Sequence, residues 1–179
     1  LAIGSQMPQA DLPMQDVSGK KITLSKAATK NGLLVIFSCN TCPYVVKNQE
    51  ATREILNYAK SKNIGIAVIN SNEGSRGGAD SYEAMKDYAN AQQYQWIYAI
   101  DKDNVVADAF GATRTPECFL FDANGILVYH GAINNNPSEP ESATRMHTKE
   151  AMNEMMAGKP VTIATSKSIG CSIKRVSKP

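Results

Sequence analysis

The chain has 179 residues, 42% of them hydrophobic, which is enough for one substantial core and favours a single domain over 1–179. A net charge of +2 implies no general affinity for nucleic acid, and no apolar run approaches the roughly 18 residues that a membrane-spanning helix needs. The basic residues Lys159, Lys167, Lys174, Arg175 and Lys178 follow Gly158 with no acidic neighbour, and this tail is expected as solvated surface without a partner.

Residues 1–14 lack periodicity, and Pro8 and Pro13 favour an extended entry. Asp16 to Lys20 looks like a turn, and Lys21 to Leu24 like a short strand. Ser25 is expected to cap a brief helix ending near Asn31 and Gly32. Leu33, Leu34, Val35, Ile36 and Phe37 then read as a strand buried on both faces. They run into Cys39-Asn40-Thr41-Cys42-Pro43, after which Val45, Val46, Thr52, Ile55, Leu56 and Ala59 share one stripe of a helix reaching about Ser61.

Cys39 and Cys42 therefore stand where a buried strand hands over to a helix N-terminus. There, unpaired N–H groups and the helix dipole favour thiolate over thiol, and Pro43 suits a first turn. The spacing lets the two sulfurs meet in a disulfide across a very short loop. A static structural disulfide is a poor alternative, because so short a loop removes little entropy from the unfolded chain. A structural zinc site would want a second close pair of ligands. Cys118, Cys171, His130 and His147 stand apart from one another, so no metal and no other cofactor is expected.

A second apolar strand, Ile64 to Ile69, completes a βαβ unit. The Gly-rich loop from Glu73 to Ala79 lacks the spacing of a phosphate cradle. Asp80 with Glu83 resembles a capping box for a helix carrying Tyr82, Met85, Tyr88 and Ala89. A short strand follows over Trp96 to Ile100. Asp103 is expected to cap a helix that buries Val105, Val106, Ala109 and Phe110 and closes at Gly111. Thr113-Arg114-Thr115-Pro116 leads into the strand Glu117 to Phe121, and Asp122-Ala123-Asn124-Gly125 turns it into an antiparallel return over Ile126 to His130. After a polar loop from Asn134 to Pro140, a last helix carries Ala151, Met152, Met155 and Met156 and stops at Gly158. Residues 161–179 read as a tail without periodicity. His130 and His147 are expected at the surface and Cys118 as a small buried hydrophobe.

This order resembles the thioredoxin-like α/β fold, a central mixed β-sheet flanked by helices. The segment between Ile69 and Thr115 resembles the insertion of the redoxin branch. Cys-Asn-Thr-Cys-Pro-Tyr from Cys39, Phe-Gly-Ala-Thr-Arg-Thr-Pro-Glu from Phe110 and Ile-Gly-Cys-Ser-Ile-Lys from Ile169 are similar to peroxiredoxin-like proteins that carry a thioredoxin-type pair. The resemblance implies Cys39 as attacking thiol, Cys42 as resolving thiol and Pro116 as a cis-proline facing them. Thr115 would then offer its backbone to an extended partner segment, as in strand addition.

The activity implied is thiol–disulfide exchange with protein thiols or disulfides through a mixed disulfide, with an upstream redox partner protein. Leu33 and Val45 occupy positions where relatives carry a carboxylate, so water or Glu117 is left as proton acceptor for Cys42. One alternative is a thiol peroxidase. The peroxiredoxin pattern Pro-x-x-x-Thr-x-x-Cys has Gly32 and Ile36 before Cys39, and Val35 and Cys39 before Cys42, and Arg114 is expected to bond within its loop. Another is a non-enzymatic Cu(I) or thiol carrier. An export signal or lipid anchor removed ahead of Leu1 would fit, so a periplasmic or membrane-anchored extracytoplasmic location is expected. In the oxidised protein Cys118 and Cys171 are expected as the two free thiols. The apolar residues around Gly170, Cys171 and Ser172 suggest that the tail docks, and on the active-site side Cys171 could relay or guard the pair.

Overall fold

The computed structural model describes residues 1–178. Leu33 to Phe37 have no polar side chain to turn towards water, and the strand they form, β3 (Leu33–Ser38), is buried along its whole length. It lies near the middle of a seven-stranded sheet of order β2-β1-β5-β4-β3-β7-β8. The flanking strands are β1 (Met14–Asp16), β2 (Lys21–Ile22), β4 (Gly65–Asn70), β5 (Ile97–Ile100), β7 (Glu117–Phe121) and β8 (Leu127–Gly131). β3, β4 and β5 run parallel, while β1 and β7 join them antiparallel. The result is the mixed sheet expected from the sequence.

Alternation along β3 feeds two cores. Leu33, Val35 and Phe37 enter one with Phe110, Phe119 and Phe121; Leu34 and Ile36 enter the other with Ile55, Leu56 and Val68. Phe110 stacks edge-on against Phe37, Phe119 and Phe121, with ring centroids 5.1–5.6 Å apart. The helices are α1 (Leu24–Ala27), α2 (Pro43–Lys47), α3 (Gln49–Ser61), α4 (Tyr82–Ala91), α5 (Val105–Phe110) and α6 (His147–Met156).

Four local expectations are corrected. Thr23, not Ser25, caps α1, accepting from the Lys26 N–H. The helix after Cys42 is two helices, because Asn48 turns its amide to the carbonyls of Tyr44 (2.8 Å) and Pro137 (2.9 Å) and bends the chain between α2 and α3. Ser81 caps α4, which frees the Asp80 carboxylate to point inward. Asp101 receives the N–H groups of Val106 and Ala107, whereas Asp103 has φ 57° and caps nothing.

The tail docks, as the apolar residues around Cys171 suggest, and the expectation of solvated basic surface without a partner is corrected. Ala164 and Ser166 bond the backbone of His130 on β8. Farther on, β9 (Cys171–Ser172) pairs antiparallel with β6 (Arg114–Thr115), and Ile173 is buried in the aromatic core. Arg175 and Lys178 both meet the carboxylate of Asp108, so the tail's charge has partners.

Because Phe110 is fully buried among three rings, Phe110→Ala should cost about 3–5 kcal/mol in urea unfolding. A loss below about 1 kcal/mol would show that the aromatic core can close over the gap.

Candidate active site

The antiparallel register of β3 and β7 builds the site. Phe37 pairs with Glu117, and two further residues along the same register set Cys39 opposite Thr115. Cys39 Sγ lies 3.6 Å from Thr115 Oγ1, and Cys42 Sγ lies 3.6 Å from the Thr115 carbonyl oxygen. The Thr115–Pro116 peptide bond is cis. The four residues singled out from the sequence, Cys39, Cys42, Thr115 and Pro116, are thus brought together.

The two thiols do not sit as expected. Cys42, the N-cap of α2, is bonded to Cys171, with Cα atoms 6.1 Å apart across 129 residues, and Cys39 and Cys118 are free. The disulfide of this structure is therefore Cys42–Cys171 and not Cys39–Cys42, and Cys171 is not free. Nor is Cys39 at an exposed helix mouth: it is 2% exposed, and Cys42 is 6%. Burial pushes the Cys39 thiol up, against hydrogen bonds from the Thr115 hydroxyl and the Cys42 and Thr41 N–H groups, and the charge of Asp80 pushes it further. The lowering expected at a helix N-terminus is thus reversed by burial, and α2 begins only at Pro43, beyond its N-cap Cys42. Cys118 is the buried hydrophobe expected, its thiol pushed up to about 12 by burial.

A polar cluster that the sequence reading passed over holds the Cys39–Cys42 loop in place. Asp80 accepts from the Asn40 backbone N–H (3.0 Å) and from the side-chain amides of Asn70 (2.9 Å) and Asn72 (3.1 Å). Tyr98 donates to Asn40 Oδ1 at 2.6 Å, and Asn40 donates to the Ala79 carbonyl. Arg76 secures the far side on the carbonyls of Asn70 and Asp80. The available signal was Asn70-Ser71-Asn72 at the carboxyl end of a buried strand, where α/β sheets place their sites.

The Glu117 carboxylate has other partners than Cys42. It accepts from His130 Nε2 (3.0 Å) and from the N–H groups of Thr113 (2.8 Å) and Arg114 (3.3 Å). Burial works to raise its pKa, but these bonds outweigh it and hold the carboxyl below its ordinary value. It braces the loop ahead of Pro116. His130 is not a free surface residue, since it stacks on Phe119 with ring centroids 4.2 Å apart. His147 is half-buried and accepts from Arg145 Nε. Arg114 is exposed and donates to Ser172 Oγ at 2.7 Å, so it bonds locally as expected, although to the tail. Among the described residues no three His, Cys, Asp or Glu side chains stand together as metal ligands.

With Cys42 and Cys171 bonded, iodoacetamide should find two free thiols, and both should react slowly at neutral pH. The rate at Cys39 should keep climbing with pH beyond the roughly 8.5 of an ordinary thiol. Peptide mapping that shows Cys39 alkylated at a half-maximal pH near 7 would contradict the burial that governs it.

Several known proteins are similar to this chain. The Redoxin family model matches residues 2–146, a span that ends before α6 and the tail. Chloroplastic peroxiredoxin Q of Suaeda salsa is 30% identical over 149 residues, covering 77% of this chain and 62% of that protein. The chain thus spans less than two thirds of the curated relatives it matches. A hypothetical protein of Sinorhizobium meliloti superposes with a TM-score of 0.89 at 30% identity, over 99% of this chain and 97% of that one. The thioredoxin domain of a thiol-disulfide oxidoreductase from Bacteroides vulgatus shares the fold, with a TM-score of 0.62 at 20% identity over 79% of this chain and 95% of that one. On its matched span and its mixed sheet, the chain belongs to the redoxin family, on the thioredoxin-like fold.

Proposed function

We propose that this redoxin exchanges dithiol for disulfide with protein partners. Cys39 and Cys42 are its redox pair, and Thr115 and Pro116 are the surface that holds the partner. The observation that carries this reading is the packing of both sulfurs on Thr115, whose strand β6 accepts an extended segment by antiparallel pairing. In a reductive cycle one thiolate of the pair attacks a partner disulfide, and one partner sulfur leaves as thiolate. The second thiol of the pair then loses its proton, attacks the first, and releases the other partner sulfur. Two electrons pass to the partner, and the pair ends as a disulfide. An upstream redox partner protein resets it. An extracytoplasmic location belongs to this proposal and is supported by a disulfide that ties the tail to the site.

Peroxide reduction is the second reading, favoured by the 30% identity to a peroxiredoxin Q. Against it stand Gly32 and Ile36 at the peroxiredoxin pattern's Pro and Thr positions, and an Arg114 occupied by Ser172.

The protein should reduce insulin with a dithiol donor faster than it consumes hydrogen peroxide. In a Cys171→Ser background, which leaves the pair on its own, adding either Cys39→Ser or Cys42→Ser should stop multiple turnover. Peroxide consumption that outruns insulin reduction would hand the site to the second reading.

A further inference from the structure

A two-thiol cycle has no use for Cys171, yet its sulfur is bonded to Cys42. The strand that carries it occupies the place the exchange reading reserves for a partner. Cys171 lies opposite Thr115 and Ser172 opposite Arg114, in antiparallel register. The seat is fitted to this segment. A side chain at Gly170 would collide with the Thr115 carbonyl, and the next peptide N–H after β9, that of Ile173, donates to the Thr113 carbonyl at 3.0 Å. Beyond β9 the tail has further anchors that do not involve the disulfide. The Lys174 N–H bonds Asn72 Oδ1, the Gly74 N–H bonds the Lys174 carbonyl, and Arg175 bonds Asp108 and the Ala112 carbonyl.

We propose that Cys171 is a third redox thiol of this site, carried on a tethered strand that stands in for the partner chain and competes with it for Thr115 and for Cys42. The proposal rests on the exchange reading and adds a step inside the molecule. Cys39 gives its proton to solvent, and its thiolate attacks Cys42 Sγ. The Cys39–Cys42 bond forms, the Cys42–Cys171 bond breaks, and Cys171 leaves as a thiolate that takes up a proton. One disulfide and one thiol enter the step and the same leave it, so no outside oxidant or reductant takes part. Reversal recloses the tail, helped by the high effective concentration of a tethered thiol.

The step also orders the pair. The cysteine carried on the docked strand is bonded to Cys42, so Cys42 is the sulfur that meets a partner strand, and Cys39, more deeply buried, resolves behind it. This reverses the order implied by the family resemblance. Burial of Cys39 slows the internal step at neutral pH, so tail release should quicken as pH rises.

The test uses the full chain with Cys118→Ser, oxidised to one disulfide, held between pH 7 and 9, quenched in acid, alkylated and peptide-mapped. Both Cys42–Cys171 and Cys39–Cys42 peptides are expected, reaching a fixed ratio faster at higher pH. Cys39→Ser should give the first bond alone and Cys171→Ser the second alone. In Cys171→Ser the Ile173 amide should exchange with deuterium faster, and the KM for insulin should fall. A map showing only Cys42–Cys171 at every pH would make that bond static and overturn the proposal, as would a map showing only Cys39–Cys42. Failure of the exchange reading shows separately, as absent insulin turnover, because the map needs no partner.

Discussion

Thr115 touches both sulfurs, its hydroxyl near Cys39 and its carbonyl near Cys42, and its position follows from one strand pairing. β3 and β7 lie side by side with Phe37 opposite Glu117, and each strand runs on for two residues to deliver Cys39 and Thr115 to the same point. Glu117 then fixes the approach, since its carboxylate gathers the N–H groups of Thr113 and Arg114 while His130 holds it from behind. His130 is itself set by Phe119, a core residue of the same strand. The site is therefore an extension of the hydrophobic core, and its geometry is as rigid as the sheet that carries it.

That origin has an electrostatic consequence. A thiol delivered by a buried strand arrives dehydrated, and the charge of the Asp80 carboxylate pushes its pKa further up. Asp80 is there for the backbone: it takes three donors from Asn40, Asn70 and Asn72 and so closes the loop between the cysteines. Holding the loop and activating the thiol are opposed demands on the same carboxylate, and the loop wins. The Cys39 thiol is kept in reserve, protonated and shielded, behind a sulfur that is already engaged.

Much of this was legible in the sequence where one local pattern admitted one outcome. Five apolar residues ahead of Cys39 read as a buried strand, whereas Thr115 and Pro116 were set beside the cysteines by the resemblance to the thioredoxin-like family and not by a local pattern. The mixed sheet followed from the order of such runs. The helix starts were less legible, because Thr23 and Ser25, Asp80 and Ser81, or Asp101 and Asp103 offer similar capping chemistry locally. The choice falls to distant partners: Asp80 is drawn inward by Asn40, and Asp101 by Ser71 as well as by α5. The break at Asn48 was hidden in the same way, since its amide answers to Pro137 and Asn134, nearly ninety residues on. That the tail docks was legible from the apolar residues around Cys171, but its course was not, because it pairs in pieces of one or two residues, too short for any period to show.

The pairing of Cys42 with Cys171 could not be read from spacing at all, and loop entropy explains why the two candidate bonds differ in kind. Closing the chain across 129 residues restricts the unfolded ensemble far more than closing a loop between Cys39 and Cys42, a contribution on the order of 5 kcal/mol for the long loop. That difference acts on the unfolded chain, and the tail's anchors on Asn72, Gly74, Ala112 and Asp108 are bonds that do not involve the sulfur. Inside the folded protein the exchange is then governed by local terms: the burial of Cys39, the half-exposed position of Cys171, and whatever strand lies on Thr115. A bond that most stabilises the fold can thus be the one given up most readily within it, provided the strand beneath it holds without the sulfur.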